Sequence, residues 1–250
     1  MRVSVALATP DLQTCSVVIE NYTADTVSLR YCGLSGNQPK SYANFLAIWE
    51  SAVIPWTVEP LARQEILQNR ETGSQVLTGM KITSSNYIVG YGVGDKITDI
   101  CATAQISAGG LKSPPSCVHI SIAYVGSNSL SVNYSTLPGY LPKTYRNWIG
   151  LWEGYASPYN APEPVGRSFI ESDSTQGTAA LNNVELGIDS TYTLIYFMGD
   201  DPTEGWPRTL KSAAAILNFQ TTKGEDDTHN RVLSFSTNQP SQVNKTKKGD

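Results

Sequence analysis

One aromatic-rich stretch of this chain occurs twice, which constrains the fold more than any other feature. Pro39-Lys-Ser-Tyr-Ala-Asn-Phe-Leu-Ala-Ile-Trp-Glu50 returns 103 residues later as Pro142-Lys-Thr-Tyr-Arg-Asn-Trp-Ile-Gly-Leu-Trp-Glu153. Six of the twelve positions are identical and five more exchange like for like, so the chain reads as two copies of one unit. The same offset relates Val27-Ser-Leu-Arg-Tyr31 to Leu130-Ser-Val-Asn-Tyr134 and Pro55-Trp56 to Pro158-Tyr159. Cys15 is matched with Cys117, one residue off that offset, while Cys32 and Cys101 face Ser135 and Ser212. Further on, Asn86–Asp95 faces Thr191–Asp200. Matching Thr98…Ala104 with Thr209…Ala215 then isolates Pro202-Thr-Glu-Gly-Trp-Pro207 as an insertion of about six residues in the second copy.

Short runs rich in Val, Ile and Tyr, broken by Gly, Pro, Asn and Ser about every ten residues, argue for antiparallel strands. Val27–Tyr31 alternates with a period of two, as a half-buried strand does. Phe45–Trp49 is apolar on both faces, as befits a central strand, with Glu50 at its rim. The expected fold is all-β: two tandem Ig-like/fibronectin III-like antiparallel β-sandwiches, over 12–107 and 116–221, followed by a polar tail over 222–250 that is expected to be disordered. Residues 1–11 read as a leader. Pro60–Gln68 reads as a helical turn, whereas its counterpart Glu163–Ile170 reads as a strand. The paired glycines and prolines of Gln105–Pro115 read as a joint followed by a stiff spacer.

Composition bounds the function. With 250 residues, 40% of them hydrophobic, the chain can bury two ordinary cores. A net charge of -4 with interspersed signs gives no footprint for nucleic acid. No run approaches the roughly 20 apolar residues that span a bilayer. Met1–Pro10 carries too short an apolar run for a secretory signal, which places synthesis in the cytoplasm. Cys15, Cys32, Cys101 and Cys117 lack close C-x-x-C pairing, and they read as free thiols rather than a disulfide framework or a zinc site.

Asn147-Trp-Ile-Gly-Leu-Trp152 and Tyr192-Thr-Leu-Ile-Tyr196, with the degenerate Asn44-Phe-Leu-Ala-Ile-Trp49 and Tyr87-Ile-Val-Gly-Tyr91, carry a resemblance. They are similar to the SKICH-type Ig-like domains of autophagy-receptor and inositol-phosphatase proteins and to the Ig-like N-terminal module of plant purple acid phosphatases. The resemblance covers about two thirds of each unit and implies a docking module without catalysis. It transfers no functional residue, and the metallophosphatase domain that follows the plant module is absent from this sequence.

Enzyme signatures each have a plainer reading. Gly90-Tyr-Gly-Val-Gly94 lacks the helix that a dinucleotide loop needs. His119 and His229 have no serine or cysteine motif around them. Glu50 and Glu153 sit at equivalent strand ends in separate units. Asp200, Asp201 and Glu204 could wrap Ca²⁺ but lack ordered ligand spacing. No catalytic residue, metal site or cofactor is therefore assigned. Trp49 and Trp152 read as core. Trp56, Tyr155, Tyr159 and Trp206 fall in loops, where a large ring either covers a seam or meets a partner; with Glu204 they form the candidate binding set. For Trp206, an anchor for a partner and a cap folded over the seam stand as equal alternatives. The expected function is a non-catalytic binding or interaction protein, acting by protein docking or self-assembly. Glycan or cell-surface binding through the loop aromatics, and an enzyme with its site between the units, are the alternatives.

Overall fold

The computed structural model describes residues 5–7, 10–109, 112–126, 128–199 and 205–223, and among these it is all-β, without an α-helix. In chain order the strands are β1 (Val5–Leu7), β2 (Asp11–Thr14), β3 (Ser16–Tyr22), β4 (Thr26–Cys32), β5 (Phe45–Trp49), β6 (Ala62–Glu65), β7 (Thr72–Thr78), β8 (Tyr87–Gly92), β9 (Ile100–Ile106) and β10 (Lys112–Cys117). They continue with β11 (His119–Val125), β12 (Ser129–Ser135), β13 (Trp148–Glu153), β14 (Gly166–Phe169), β15 (Gln176–Asn182), β16 (Thr191–Phe197) and β17 (Ala213–Lys223). All pairings are antiparallel, in sheets ordered β3-β4-β7 and β10-β9-β8-β5-β6, then β11-β12-β15 and β1-β17-β16-β13-β14 with β2 also on β17.

Local sequence explains the layers. In β4, Val27, Leu29 and Tyr31 alternate with exposed or half-exposed residues, so one face packs inward. Every residue of β5 is buried, because β6 and β8 flank it and both of its faces are covered. Leu46 and Ile48 join the main core cluster, while Phe45, Ala47 and Trp49 pack with Ile54, Ile88, Ile100 and the second half's Leu137. Trp49 and Trp152 are 2% and 1% exposed, and their indole nitrogens donate to Val58 O and Pro162 O, each at 2.8 Å. Gly73 and Gly177 leave room for the Tyr31 and Tyr134 rings, since a Cβ at either glycine would collide with the phenol.

The two halves are joined by more than a linker. β10, which leads into the second half, pairs with β9 of the first, and β2, which leads into the first half, pairs with β17 of the second. Next to these pairs, Val118 N donates to Cys101 O at 2.9 Å and Cys15 N to Ala214 O at 3.3 Å. Cys15 therefore corresponds to the buried Val118, and the sequence pairing of Cys15 with the half-buried Cys117 is off by one. Because the leading strands cross over, one contiguous cluster draws buried residues from both halves, rather than the two separate cores expected from length alone.

Further expectations change. Residues within the leader form β1 and part of β2, and Thr222 and Lys223 of the tail belong to β17; the rest of the tail, from 224, lies outside the described residues. Pro60–Gln68 holds the edge strand β6 rather than a helical turn, because pairing with β5 outweighs the helix propensity of its residues. Lys112–Cys117 is a strand rather than a spacer. Its register shifts between Ser113 and Ser116, where two prolines without N–H groups sit at a sheet edge. Tyr91 pairs with Ala102 and Tyr196 with Ala215, so the second connection is eight residues longer rather than six, and Cys101 corresponds to Ala214 rather than Ser212.

Truncating a buried indole removes its packing and its hydrogen bond, so Trp152→Ala is expected to lower stability by about 3–5 kcal/mol in urea denaturation. Since hydrogen bonding crosses between the halves, the chain should unfold in one transition; two well-separated transitions would contradict the shared core.

Candidate functional site

The seam between the halves obeys a local two-fold rule. Trp56, in the β5–β6 loop, points its indole nitrogen at Pro138 O of the second half, at 3.2 Å, and meets the Tyr140 ring edge-on at 4.8 Å between centroids. It lies over Gly139, where a Cβ would stand 3.5 Å from the ring. Its equivalent Tyr159 lies over Gly36, where a Cβ would stand 3.2 Å from the ring, and stacks on Tyr42 at 5.3 Å. Both glycines have positive φ, +71° and +84°, a conformation that disfavours side chains even without the approaching rings. Two of the loop aromatics, Trp56 and Tyr159, are thus placed in the seam.

Beneath them lie paired polar networks. Tyr91 Oη and Asn37 Nδ2 donate to Asn44 Oδ1 at 2.9 and 2.7 Å. In the second half Tyr196 Oη donates to Asn147 Oδ1 at 2.8 Å, and Asn147 Nδ2 donates to Met198 O at 2.8 Å. Tyr140 Oη reaches across to Thr98 O at 2.8 Å. Burial pushes the Tyr91, Tyr140, Tyr159 and Tyr196 phenols above their ordinary value, and it does the same to the Cys101 thiol, which lies against Cys15. At neutral pH these groups stay protonated, which suits hydrogen bonding in a core better than proton transfer. Tyr159 keeps some ring exposure, but its Oη is buried without a hydrogen-bond partner, as is Asn37 Oδ1.

Tyr155 is different. It is 82% exposed and stands beside a groove of about 300 Å³ whose lining includes Gln13, Ser35, Ser157, Ile216 and Asn218. The loop that carries it is fixed from below. Gly154 turns with φ +75° and donates from its N–H to Thr191 O at 2.7 Å, while Ala156 N donates to Thr193 Oγ1 at 3.1 Å. Ser157 Oγ accepts from Tyr159 N at 3.3 Å and caps the short turn Pro158–Asn160. Another groove, of about 470 Å³, lies on the β11-β12-β15 face and includes His119, Ser121, Asn133 and Thr178.

The remaining candidates scatter. Trp206 is half-buried and packs against the main cluster; Glu204, with Asp200 and Asp201, lies outside the described residues. Glu50 and Glu153 are exposed at the two equivalent strand ends. Gly90 packs under Ile100, where a Cβ would stand 2.9 Å from its side chain, which accounts for the glycine without a bound nucleotide. Sequence reasoning missed Gly36, Gly139, Asn44 and Asn147 as seam and network residues, although each pair sits at the repeat offset. It also missed Gln13, Ser35 and Asn218, which carry no motif. No family model matches the chain, and no curated protein matches it.

Trp56→Ala is expected to cost about 3 kcal/mol of stability and Tyr155→Ala to stay within about 0.5 kcal/mol, as thermal melts of the two variants would show. The raised phenols favour folding fully below pH of about 10, where the unfolded chain's tyrosines are still neutral, and this contribution fades as pH rises further. Stability should therefore fall above that pH, with tyrosinate absorbance rising in step with loss of structure.

Proposed function

We propose that this chain is a non-catalytic binding protein made of two Ig-like modules, interlocked so that they present one surface, and that Tyr155 is the centre of that surface. The observation that carries this reading is the 82% exposure of Tyr155 on a loop pinned from beneath, beside a groove that both halves line. A tyrosine has only two side-chain torsions to order and its loop backbone is already anchored, so it costs little entropy when it meets a partner, and such rings are enriched among binding hot spots. The strand orders β3-β4-β7 with β9-β8-β5-β6, and β11-β12-β15 with β17-β16-β13-β14, support the Ig-like, fibronectin III-like reading and the division near 12–107 and 116–221.

The seam weighs against an enzyme with its site between the units, since Trp56 and Tyr159 fill it and the buried phenols of Tyr140 and Tyr159 are held neutral. Among the described residues no helix is long and apolar enough to cross a membrane, and all four cysteines are free thiols, which suits a chain made in the cytoplasm. Trp206 belongs to the proposed surface only through whatever part of its ring the core leaves uncovered.

Capture experiments from the native host with the full chain and with Tyr155→Ala test the reading. The variant should bind about 30-fold more weakly, the equivalent of about 2 kcal/mol, at unchanged melting temperature. Equal capture by both would remove Tyr155 from the site. Trp206→Ala, scored the same way, separates an anchor, which would lower binding, from a seam cap, which would lower stability.

A further inference from the structure

The duplication supplies an internal control for the groove beside Tyr155. No insertion separates Trp49 from Trp56 relative to Trp152 and Tyr159, so Ala52 corresponds to Tyr155 and Ile54 to Ser157. In the first half Ile54 is 3% exposed and turns inward onto Ile88 and Ile100, plugging the outer face of β5-β8-β9. Gln105 Nε2 reaches Ala52 O at 3.1 Å and ties that loop down. In the second half Ser157 is exposed and too small to plug anything, and Ile216 and Asn218 of β17 are left facing the groove. One copy keeps the apolar plug; the other exchanges it for a hydroxyl and sets an exposed aromatic beside the opening.

The lining has a distinct chemistry. Gln13, Ser35, Ser157 and Asn218 offer neutral amides and hydroxyls, and among the described residues no Lys, Arg, Asp, Glu or His lines the groove. These groups both donate and accept, so they match a ligand that itself carries hydroxyls. Ile216 and Ala156 supply an apolar floor, and the Tyr155 ring a flat wall. A phosphate or sulfate would need cations or converging backbone N–H groups. An anion would also meet Asp11, which stands opposite Asn218 in the β2–β17 pairing, on a chain of net charge -4. At about 300 Å³ the groove is at the lower limit for small-molecule sites and suits one ring.

We infer that this groove binds a neutral glycan, seating one uncharged pyranose between the Tyr155 ring and the amides and hydroxyls contributed by both halves. The inference rests on the binding reading above and gives it a ligand class. The site is composite: Gln13 comes from β2, Ser35 from the β4–β5 loop of the first half, and Ser157 and Asn218 from the second. It exists only because the leading strands cross over.

The test is an array of neutral oligosaccharides, ending in hexose, N-acetylhexosamine or deoxyhexose, beside their sialylated and sulfated counterparts, probed with the full chain. Binding to at least one neutral class is expected, weaker for its sialylated or sulfated form. Tyr155→Ala should lower the affinity about tenfold or more, whereas Tyr155→Phe should stay within about twofold. Ser157→Ile, which restores the plug of the first half, should also abolish binding; thermal melts confirm that each variant folds. Binding confined to anionic glycans, or unchanged in both Tyr155→Ala and Ser157→Ile, overturns the proposal. If the wild-type chain captures a protein partner yet no glycan, this inference falls and the binding reading stands. If it captures neither, both fall.

Discussion

The structure depends on two crossed strands. Each half ends in a long strand, β9 or β17, whose outer edge would otherwise present unpaired N–H and C=O groups, and in each case the partner is the leading strand of the other half. The exchange places Cys15 beside Ala214 and Val118 beside Cys101, so the two cores become continuous. It also sets the distance between the halves. Only at that distance can Trp56 lie on Gly139 and Tyr159 on Gly36, and only then do Gln13 and Ser35 come beside Ser157.

Comparison of equivalent positions separates what the fold requires from what it tolerates. Asn44 and Asn147, Tyr91 and Tyr196, Gly36 and Gly139, and Trp49 and Trp152 do the same work twice. Asn37 and Tyr140 do not. Tyr140 bonds across the seam, whereas Asn37 leaves its Oδ1 without a partner, and the Tyr159 hydroxyl is also unpartnered. An unsatisfied buried polar atom costs about 1–3 kcal/mol, so the seam is less well satisfied on that side. The asymmetry at Ala52/Tyr155 and Ile54/Ser157 is of the opposite kind, since it leaves the second copy with an open groove where the first has a plug.

Much of the frame was legible in the sequence because strand periodicity and buried aromatics are local signals. β5 read as a doubly covered strand, and Trp49 and Trp152 as core, from Phe45–Trp49 and its copy alone. β6 misled because Leu61-Ala-Arg-Gln-Glu are good helix formers, and an edge position in a sheet leaves no trace in so short a run. The insertion length was misjudged because the Ala-rich runs Ala102-Thr-Ala104 and Ala213-Ala-Ala215 can be matched in more than one register, and only the strand pairing, Tyr91 with Ala102 and Tyr196 with Ala215, selects the one two residues further on. The crossing of β2 and β10 was invisible, since pairing between distant strands is decided by geometry and not by local pattern. The groove was half legible: Tyr155 stood out as a loop aromatic, but Gln13, Ser35 and Asn218 are ordinary polar residues until folding brings them together.

The crossed strands also impose an order on biosynthesis. β2 leaves the ribosome about two hundred residues before its partner Ala215–Asn218. Through most of translation the first half must hold its shape with that strand unclaimed, and β17, once made, finds whichever copy of residues 11–14 is nearest. On a crowded polysome the nearest copy can belong to a neighbouring nascent chain. The contact that locks the finished molecule is therefore also the one through which two newly made molecules would become intertwined.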